Sequence, residues 1–231
     1  MKRGYIPQDD KEFSQTAFYT LKKAGEELFY LLNRGYPIKP ASTFIANHYM
    51  LSQRQRIAIV RGVSSENSIY ERKKKELKGD LLDRIVYIDG FNLIITLEVA
   101  FSNSTLIRCM DGNIRDLAGL RGTYRIIDKT DMAINAVCKA LNELKIKKVI
   151  VYLDSPVSNS GRLKTKLSEN FLNCSFDFEI NLVDNADVIL EKLDNVITSD
   201  AIILDKCKSW FNLCDFIIDK NILIDFTEIL K

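Results

Sequence analysis

Aspartates follow four short apolar runs in the carboxyl-terminal two thirds of the sequence. Each run has the length of a buried strand and is followed by an acid at once or within a few residues. If these strands are parallel, their carboxyl ends meet at one edge of the sheet, so acids distant in sequence converge there. The acids concerned are Asp89, Asp154, Asp184 with Asp187, and Asp200.

Carboxylates brought together repel one another unless a cation compensates their charge. Oxygen ligands suit Mg²⁺ or Mn²⁺, and a metal pair roughly 3.5–4 Å apart activates water for phosphodiester cleavage. That chemistry needs no histidine, and the single histidine, His48, lies outside this region. The alternative for each acid alone is a helix cap or turn. The predicted catalytic residues are Asp89, Asp154, Asp187 and Asp200, and the predicted metal ligands are these four with Asp184.

The apolar runs alternate with helical patterns after residue 84, which predicts a parallel sheet between two layers of helices. We therefore expect a three-layer α/β domain over residues 79–231. Strands are predicted at 85–88, 148–153, 178–183, 195–197 and 216–218, and helices at 131–144, 161–171, 186–193 and 206–213.

The first 78 residues have apolar side chains at three- and four-residue steps, which is typical of helices. One helix is predicted over 9–33 and another over about 41–60, with a turn at 35–37 between them. The polar stretch 64–80 contains the domain boundary or forms an exposed linking helix. We expect a small all-α domain at 1–78.

Composition narrows the class of protein further. With 46% hydrophobic and 28% charged residues, the chain resembles an ordinary soluble globular protein. No apolar run approaches the roughly eighteen residues of a membrane helix, so we expect a cytoplasmic protein without a membrane partner. Residues 1–80 hold 15 Lys+Arg and 9 Asp+Glu, a balance of +6, whereas residues 81–231 hold 18 and 22, a balance of −4. The basic part suits a polyanion and the acidic part a cation.

The strand-end motifs resemble those of the PIN-like nuclease superfamily, in particular its NYN branch. Residues 88–94, Ile-Asp-Gly-Phe-Asn-Leu-Ile, resemble the opening D-G-[YF]-N-[LVI]-I motif, and residues 151–154 resemble V-V-F-D. Residues 183–189 and 196–200 resemble the A-D-D-x-I and V-V-T-S-D elements. The resemblance covers roughly residues 84–220. It implies an Mg²⁺- or Mn²⁺-dependent ribonuclease with RNA as its partner, in which Asp89 binds metal and Asn92 supports the site.

The chain departs from that pattern at 186–188, Ala-Asp-Val, where the second acid is missing unless Asp184 replaces it. A catalytically inactive PIN-like protein that binds RNA or has a regulatory role is therefore the alternative. A phosphatase with Asp89 as nucleophile is disfavoured, because Gly90-Phe91-Asn92 lacks the acid two positions on. The whole chain also resembles a two-domain family of uncharacterised proteins. Its amino-terminal motifs are Leu-Leu-Asn-Arg-Gly-Tyr-Pro at 31–37, Ala-Asn-His-Tyr at 46–49 and Arg-Gln-Arg at 54–56.

Two segments carry groups that suit phosphate binding. Residues 155–162 are rich in hydroxyl and amide groups and precede a predicted helix, so they form an anion site or a capped loop. Residues 109–125 place arginines and Asp111 or Asp116 over the site, or form a hairpin turn at 111–113. The predicted substrate-binding residues are Asn92, Ser158, Asn159, Ser160, Arg162, Arg115, Arg121 and Arg125.

The helical domain has residues that suit a nucleic-acid surface of phosphate contacts and stacking. The alternative is that its tyrosines are core residues and its arginines are solvated or paired. Whether the chain forms a homo-oligomer is left open. The residues concerned are Tyr36, His48, Tyr49, Arg54, Arg56 and Arg61.

Overall fold

The computed structural model describes residues 1–79, 81–119, 122–221 and 227–230. An all-α amino-terminal part precedes an α/β part, as the sequence predicts. The first part contains α1 (Asp9–Glu12), α2 (Gln15–Asn33), α3 (Ile38–His48), α4 (Gln53–Gly62) and α5 (Glu66–Lys75). The second contains β1 (Ile85–Asp89), α6 (Gly90–Phe101), β2 (Leu106–Arg108), β3 (Ile114–Asp116), α7 (Asp128–Glu143), β4 (Lys148–Asp154), α8 (Ser160–Phe171), β5 (Asp177–Val183), α9 (Ala186–Leu190), β6 (Val196–Ile197), α10 (Ala201–Lys206), α11 (Leu213–Asn221) and β7 (Thr227–Glu228).

The main sheet has the strand order β5-β4-β1-β6, and all its neighbouring strands are parallel. Ile88 of β1 pairs with Val151 of β4 and with Ile197 of β6. All four carboxyl ends therefore lie along one edge, with the end of β1 between those of β4 and β6. This edge is where ligands bind in open α/β sheets.

Both faces of this sheet are buried beneath helices. Val86 and Ile88 belong to a hydrophobic core that includes residues of α6, α7, α8 and α11. Tyr87 packs on the opposite face, against a smaller core built from α9, α10 and Trp210. This alternation along β1 confirms the three-layer α/β architecture.

The amino-terminal helices do not close a core by themselves. Leu28 and Ile59 are buried in a cluster that also contains Ile107 of β2 in the small sheet β3-β2-β7, with Cys109 and Ile229, which directly follow β2 and β7. Short helices bury too little apolar surface alone, and the sheet supplies the missing face. The core of the helical part thus continues across the boundary predicted at residue 78.

Each predicted amino-terminal helix is divided in two. The helix predicted over 9–33 is interrupted at Ser14, whose Oγ accepts a hydrogen bond from the Ala17 N–H at 3.4 Å and caps α2. The helix predicted over 41–60 is interrupted before Ser52, which forms a capping box with Gln55 at the start of α4. Serine is more favourable at a helix cap than in a helix interior. The spacing of apolar residues does not reveal such a cap, so it predicted one continuous helix in each case.

Two predicted elements near the carboxyl terminus are wrong. Residues 216–218 lie in α11 and form no strand, and the helix predicted at 206–213 occurs earlier, as α10. Short apolar runs are compatible with either structure, and neighbouring helices decide. Within 109–125, the hairpin alternative is confirmed, because β2 and β3 are antiparallel and Gly112 adopts a φ of +84° in the turn. The exposed linking helix within 64–80 is present as α5.

Among the described residues, no helix is both long enough and apolar enough to cross a bilayer.

Gly90 is expected to be essential for joining β1 to α6. A Cβ at this position would lie 2.6 Å from Leu153 Cδ2, 2.8 Å from Val151 Cγ1 and 3.1 Å from the Tyr152 carbonyl oxygen. Because these atoms belong to the central sheet, Gly90→Ala should lower the free energy of unfolding by about 1–3 kcal/mol, measured by urea denaturation.

Gly161→Ala is the matched control. A Cβ at Gly161 in the first turn of α8 meets nothing within 4 Å. Alanine is the better helix former, so this variant should be as stable as the wild type or more stable. Equal stability of the Gly90 variant and the wild type would contradict the close packing at Gly90.

Candidate active site

Asp89 is the buried centre of the carboxyl edge. The parallel pairing of β1 with β6 brings Thr198 beside it, and the Thr198 Oγ1 hydroxyl donates to Asp89 Oδ2 at 2.9 Å. The Asn92 N–H donates to Oδ1 at 3.3 Å, which caps α6. Burial, together with the charges of Asp187 and Asp200, raises the pKa of Asp89 to about 7 although both hydrogen bonds lower it.

Asn92 joins the start of α6 to the loop after β6. Its Oδ1 accepts hydrogen bonds from the Ser199 N–H at 2.8 Å and the Ser199 Oγ hydroxyl at 2.9 Å. The predicted substrate-binding residue Asn92 thus uses its amide oxygen inside the chain and fixes the loop that carries Asp200.

Asp154 and Asp200 act as local caps through one oxygen each. Asp154 Oδ1 accepts from the Ala186 N–H at 2.8 Å, and Asp200 Oδ1 accepts from the Ile202 N–H at 2.7 Å and the Ile203 N–H at 3.3 Å. In the part of the chain that the structure describes, all hydrogen bonds to these two carboxylates use Oδ1. The cap alternative therefore holds for one oxygen, and Oδ2 of each side chain is left for a ligand.

Asp187 completes the group from the first turn of α9, where it is exposed. Desolvation, followed by the charges of Asp200 and Asp154, raises its pKa above the ordinary value. The structure thus brings Asp187 and Asp200 within electrostatic range of Asp89, and Asp154 and Asp200 within range of Asp187. Asp184 is exposed at the rim, where it accepts from the Ser155 hydroxyl at 3.3 Å.

The four acids fit a hard divalent cation in the type of ligand they offer, since all their donors are oxygens and their charges repel. Their spacing is more open than a metal shell. Among residues 1–79, 81–119, 122–221 and 227–230, no three His, Cys, Asp or Glu side chains lie close enough to hold an ion. Binding a cation would require the carboxylates to draw together.

The loop after β4 has structural partners for most of the residues predicted to bind substrate. Ser158 Oγ donates to the Tyr124 carbonyl oxygen at 3.1 Å and accepts from the Tyr124 N–H at 2.9 Å. Asn159 adopts a φ of +61° ahead of α8, and its Nδ2 donates to the same carbonyl at 2.6 Å. Ser160 Oγ donates to the Ser155 carbonyl at 3.3 Å. Arg162 is exposed on α8.

Arg115 is buried, which differs from the exposed phosphate contact predicted for it. Its Nη2 pairs with Asp111 Oδ2 at 2.5 Å, and its Nε donates to the Ser199 carbonyl at 2.6 Å. Arg72 Nη1 approaches Asp111 Oδ2 at 2.7 Å. Burial opposes ionisation of Asp111, but the two guanidinium groups hold its pKa below the ordinary value.

Of the other residues predicted to act in segment 109–125, one is bonded within the fold and one is exposed. Asp116 is committed to its own surroundings, since it accepts from the Thr96 hydroxyl at 3.2 Å and from the Ala118 N–H at 2.7 Å. Arg125 is exposed, and Arg121 lies outside the described residues.

On the helical part, the alternative of paired side chains holds for four of the predicted residues. Arg54 pairs with Asp9, Arg56 Nη1 donates to Asn47 Oδ1 at 2.9 Å, and the Tyr49 hydroxyl donates to Glu27 at 2.6 Å. Arg61 Nη1 pairs with Asp116 Oδ1 at 3.4 Å. Tyr36 and Arg61 also line a cavity of about 600 Å³ that reaches Asn92 and Asp200.

Sequence reasoning did not assign roles to Thr198 and Ser199, which hold Asp89 and Asn92. Their signal was their position between β6 and Asp200. Arg115 is only four residues from Asp111, but the second arginine that pairs with Asp111, Arg72, is distant in sequence and had no local signal.

The pKa of Asp89 predicts how the stability of the metal-free protein changes with pH. An acid whose pKa is higher in the folded state than in the unfolded state binds more protons when folded, so its ionisation destabilises the protein as pH rises from 4 to 7. Asp89→Asn removes this penalty. The difference in unfolding free energy between variant and wild type should grow by roughly 2–4 kcal/mol from pH 4 to pH 8, measured by urea denaturation in EDTA. A difference independent of pH would show that Asp89 ionises normally.

Comparisons with known proteins place the chain in a family. A model described as Domain of unknown function (DUF5616) matches residues 78–215, and one described as Protein of unknown function (DUF434) matches residues 20–75. An uncharacterized protein of Methanocaldococcus jannaschii is 39% identical over 187 residues, which cover 80% of this chain and 89% of the relative. No solved structure shows significant similarity to the chain. The chain belongs to the DUF5616 family, in which it carries a DUF434 region ahead of the α/β part.

Proposed function

We propose that the protein is a metal-dependent ribonuclease that hydrolyses phosphodiester bonds at the carboxyl edge of the main sheet. The observation that carries the proposal is the convergence of Asp89, Asp154, Asp187 and Asp200 at that edge, where the charges of neighbouring acids contribute to the raised pKa of Asp89 and of Asp187. A cluster of like-charged carboxylates does not stabilise a fold unless another group compensates the charge. Proteins retain the cost of such repulsion mainly at functional sites.

The compensating group in this proposal is Mg²⁺ or Mn²⁺. Asp89, Asp187 and Asp200 would hold it, with Asp154 beside them through its Oδ2. When bound, the cation supplies charge neutralisation and activation of water for attack on phosphorus. The chain's own contribution is to fix the acids: Thr198 orients Asp89, and Asn92 anchors the loop that carries Asp200.

RNA is the proposed substrate because of the motif resemblance and the charge distribution. An acidic edge alone repels a polyanion, so the substrate must gain attraction elsewhere. The amino-terminal 80 residues carry the balance of +6, and they border the cavity that reaches Asp200. Basic surface beside an acidic metal site suits a phosphodiester chain that lies across both.

Binding of RNA without cleavage is the second candidate function. It is favoured by one observation, namely that no three candidate ligands among the described residues are close enough to hold an ion. The missing acid in the Ala186-Asp187-Val188 element is in line with this candidate.

Cleavage with Mn²⁺ tests the ribonuclease directly. Wild-type protein should cleave labelled single-stranded or structured RNA in Mn²⁺ and lose this activity in EDTA. Asp89→Asn should lower the rate by roughly 100-fold or more, since removing a charged ligand costs several kcal/mol of transition-state stabilisation.

Asp177→Asn is the matched control for that experiment. Asp177 begins β5 at the opposite edge of the sheet and is exposed, so the variant should cleave at the wild-type rate. Equal activity of the Asp89→Asn variant and the wild type would show that a contaminating nuclease cleaves the RNA. Binding without cleavage across several RNAs and both metals would establish the second candidate.

Metal binding is expected to raise the melting temperature independently of catalysis. A ligand present at about 100 times its Kd stabilises the folded state by about 2.7 kcal/mol. Mn²⁺ should therefore raise the Tm of the wild type and of Asp177→Asn by several degrees, and that of Asp200→Asn by much less. An equal shift in all three proteins would mean that the cation binds away from the acids.

A further inference from the structure

The cavity of about 600 Å³ lies between the helical part and the carboxyl edge. Tyr36 and Ile38 line it from the turn between α2 and α3, and Arg61 lines it from α4. Asn92 and Asp200 line it from the α/β part. The volume lies within the range of pockets that hold small ligands, which is about 300–1,000 Å³. A ligand here would contact both parts of the chain and the candidate active site.

Several exposed apolar side chains line the cavity. Tyr36 is 58% exposed and Ile202 is 60% exposed, and both line it from opposite parts of the chain. Ile38 and Val60, which are also exposed, line the same space. Single exposed apolar residues are common, but several around one concave space indicate a binding site. Their ligand must present an apolar surface.

Tyr36 is held in place by the way α2 ends. Gly35 adopts a φ of +82°, and its N–H donates to the Leu32 carbonyl at 3.0 Å. The Tyr36 N–H then donates to the Leu31 carbonyl at 3.1 Å, which completes a Schellman motif. Pro37 follows as the amino-cap of α3. The ring of Tyr36 is thus carried by a fixed turn, and the Leu-Leu-Asn-Arg-Gly-Tyr-Pro motif gains a role as a cavity wall.

The cavity also offers polar groups for a charged ligand. Arg61 has a side chain that is 36% exposed, and its Nη1 donates to the Asp116 carbonyl oxygen and lies 3.4 Å from Asp116 Oδ1. Within the described residues, the hydrogen bonds of this guanidinium all use Nη1, so its other nitrogens remain for a phosphate. Asp200 lies at the same cavity, beside the proposed metal site. The ligand therefore combines a flat apolar body with a phosphate.

We propose that this cavity binds one unstacked nucleotide of a single-stranded RNA, with its base against Tyr36 and Ile202 and a phosphate near Arg61. The proposal rests on the proposed ribonuclease function and specifies its substrate: the nucleotide lies next to the phosphodiester at the carboxyl edge. Bases in a duplex are paired and stacked, so they cannot enter such a cavity. Stacking on an aromatic side chain tolerates any base, so the cavity selects single strands without selecting sequence.

Binding is measured by fluorescence anisotropy, with all proteins carrying Asp89→Asn so that the RNA stays intact. The probes are a short labelled single-stranded RNA and the same strand in a blunt duplex, both in Mg²⁺. The single strand should bind at least about tenfold more tightly than the duplex. Adding Tyr36→Ala should weaken binding of the single strand roughly tenfold, which lies toward the lower end of the affinity lost with one stacking contact. Adding Ile202→Asp, which places a charge against the base, should weaken binding by a similar factor.

Two further variants separate stacking from damage to the fold. Tyr36→Phe keeps the ring and should bind as its parent does. Tyr19→Ala removes a tyrosine of α2 that is 65% exposed and does not line the cavity, and it should also bind normally. Unchanged melting temperatures establish that each variant is folded.

The inference is overturned if Tyr36→Ala binds the single strand as tightly as its parent, if the duplex binds as tightly as the single strand, or if neither RNA binds. Binding of adenosine monophosphate without binding of RNA would also overturn it and assign the cavity to a free nucleotide. Failure of the ribonuclease proposal looks different: the wild type would bind single strands through Tyr36 and cleave none of them.

Discussion

The parallel pairing of β1 between β4 and β6 is the constraint on which the site depends. Parallel neighbours send all their carboxyl ends to one edge, and the central strand ends where its neighbours shield it most. Asp89 is therefore buried, while Asp154 at the end of β4 and Asp200 in the loop after β6 stay partly exposed. One topology thus creates both the proximity of the acids and the desolvation that raises the pKa of Asp89.

Hydrogen bonds from the amino termini of three helices offset part of this concentration of charge. Asp89 and Asp200 cap α6 and α10, and Asp154 accepts from the first residue of α9. Backbone N–H groups at helix amino termini carry partial positive charge, so each carboxylate receives some compensation from the fold itself. The fold itself thus offsets part of the repulsion between these acids.

The sequence predicts those parts whose causes are local. Apolar runs predict strands β1, β4 and β5. Because parallel strands end at one edge of a sheet, the same pattern also predicts where the acids after these strands lie. Arg115 and Ser158 were predicted as phosphate contacts from residue type and position along the chain. Arg115 is instead buried in a network that Arg72 of the distant α5 completes, and Ser158 bonds the Tyr124 backbone, which reaches it only when the chain folds. Local pattern likewise could not distinguish the helix at 216–218 from a strand, since a neighbouring core decides it.

A buried ion pair and a hydrogen bond hold the helical part and the α/β part together. Arg72 of α5 pairs with Asp111 of the β2–β3 turn, and its carbonyl oxygen accepts from Trp210 Nε1 at 2.8 Å. A buried carboxylate shared by two guanidinium groups tolerates little displacement, because separation would leave charges desolvated without a partner. Since Arg72 and Arg115 also line the cavity, this ion network fixes the distance between the Tyr36 wall and Asp200. A cavity wall on one part and acids on the other can then act on one ligand.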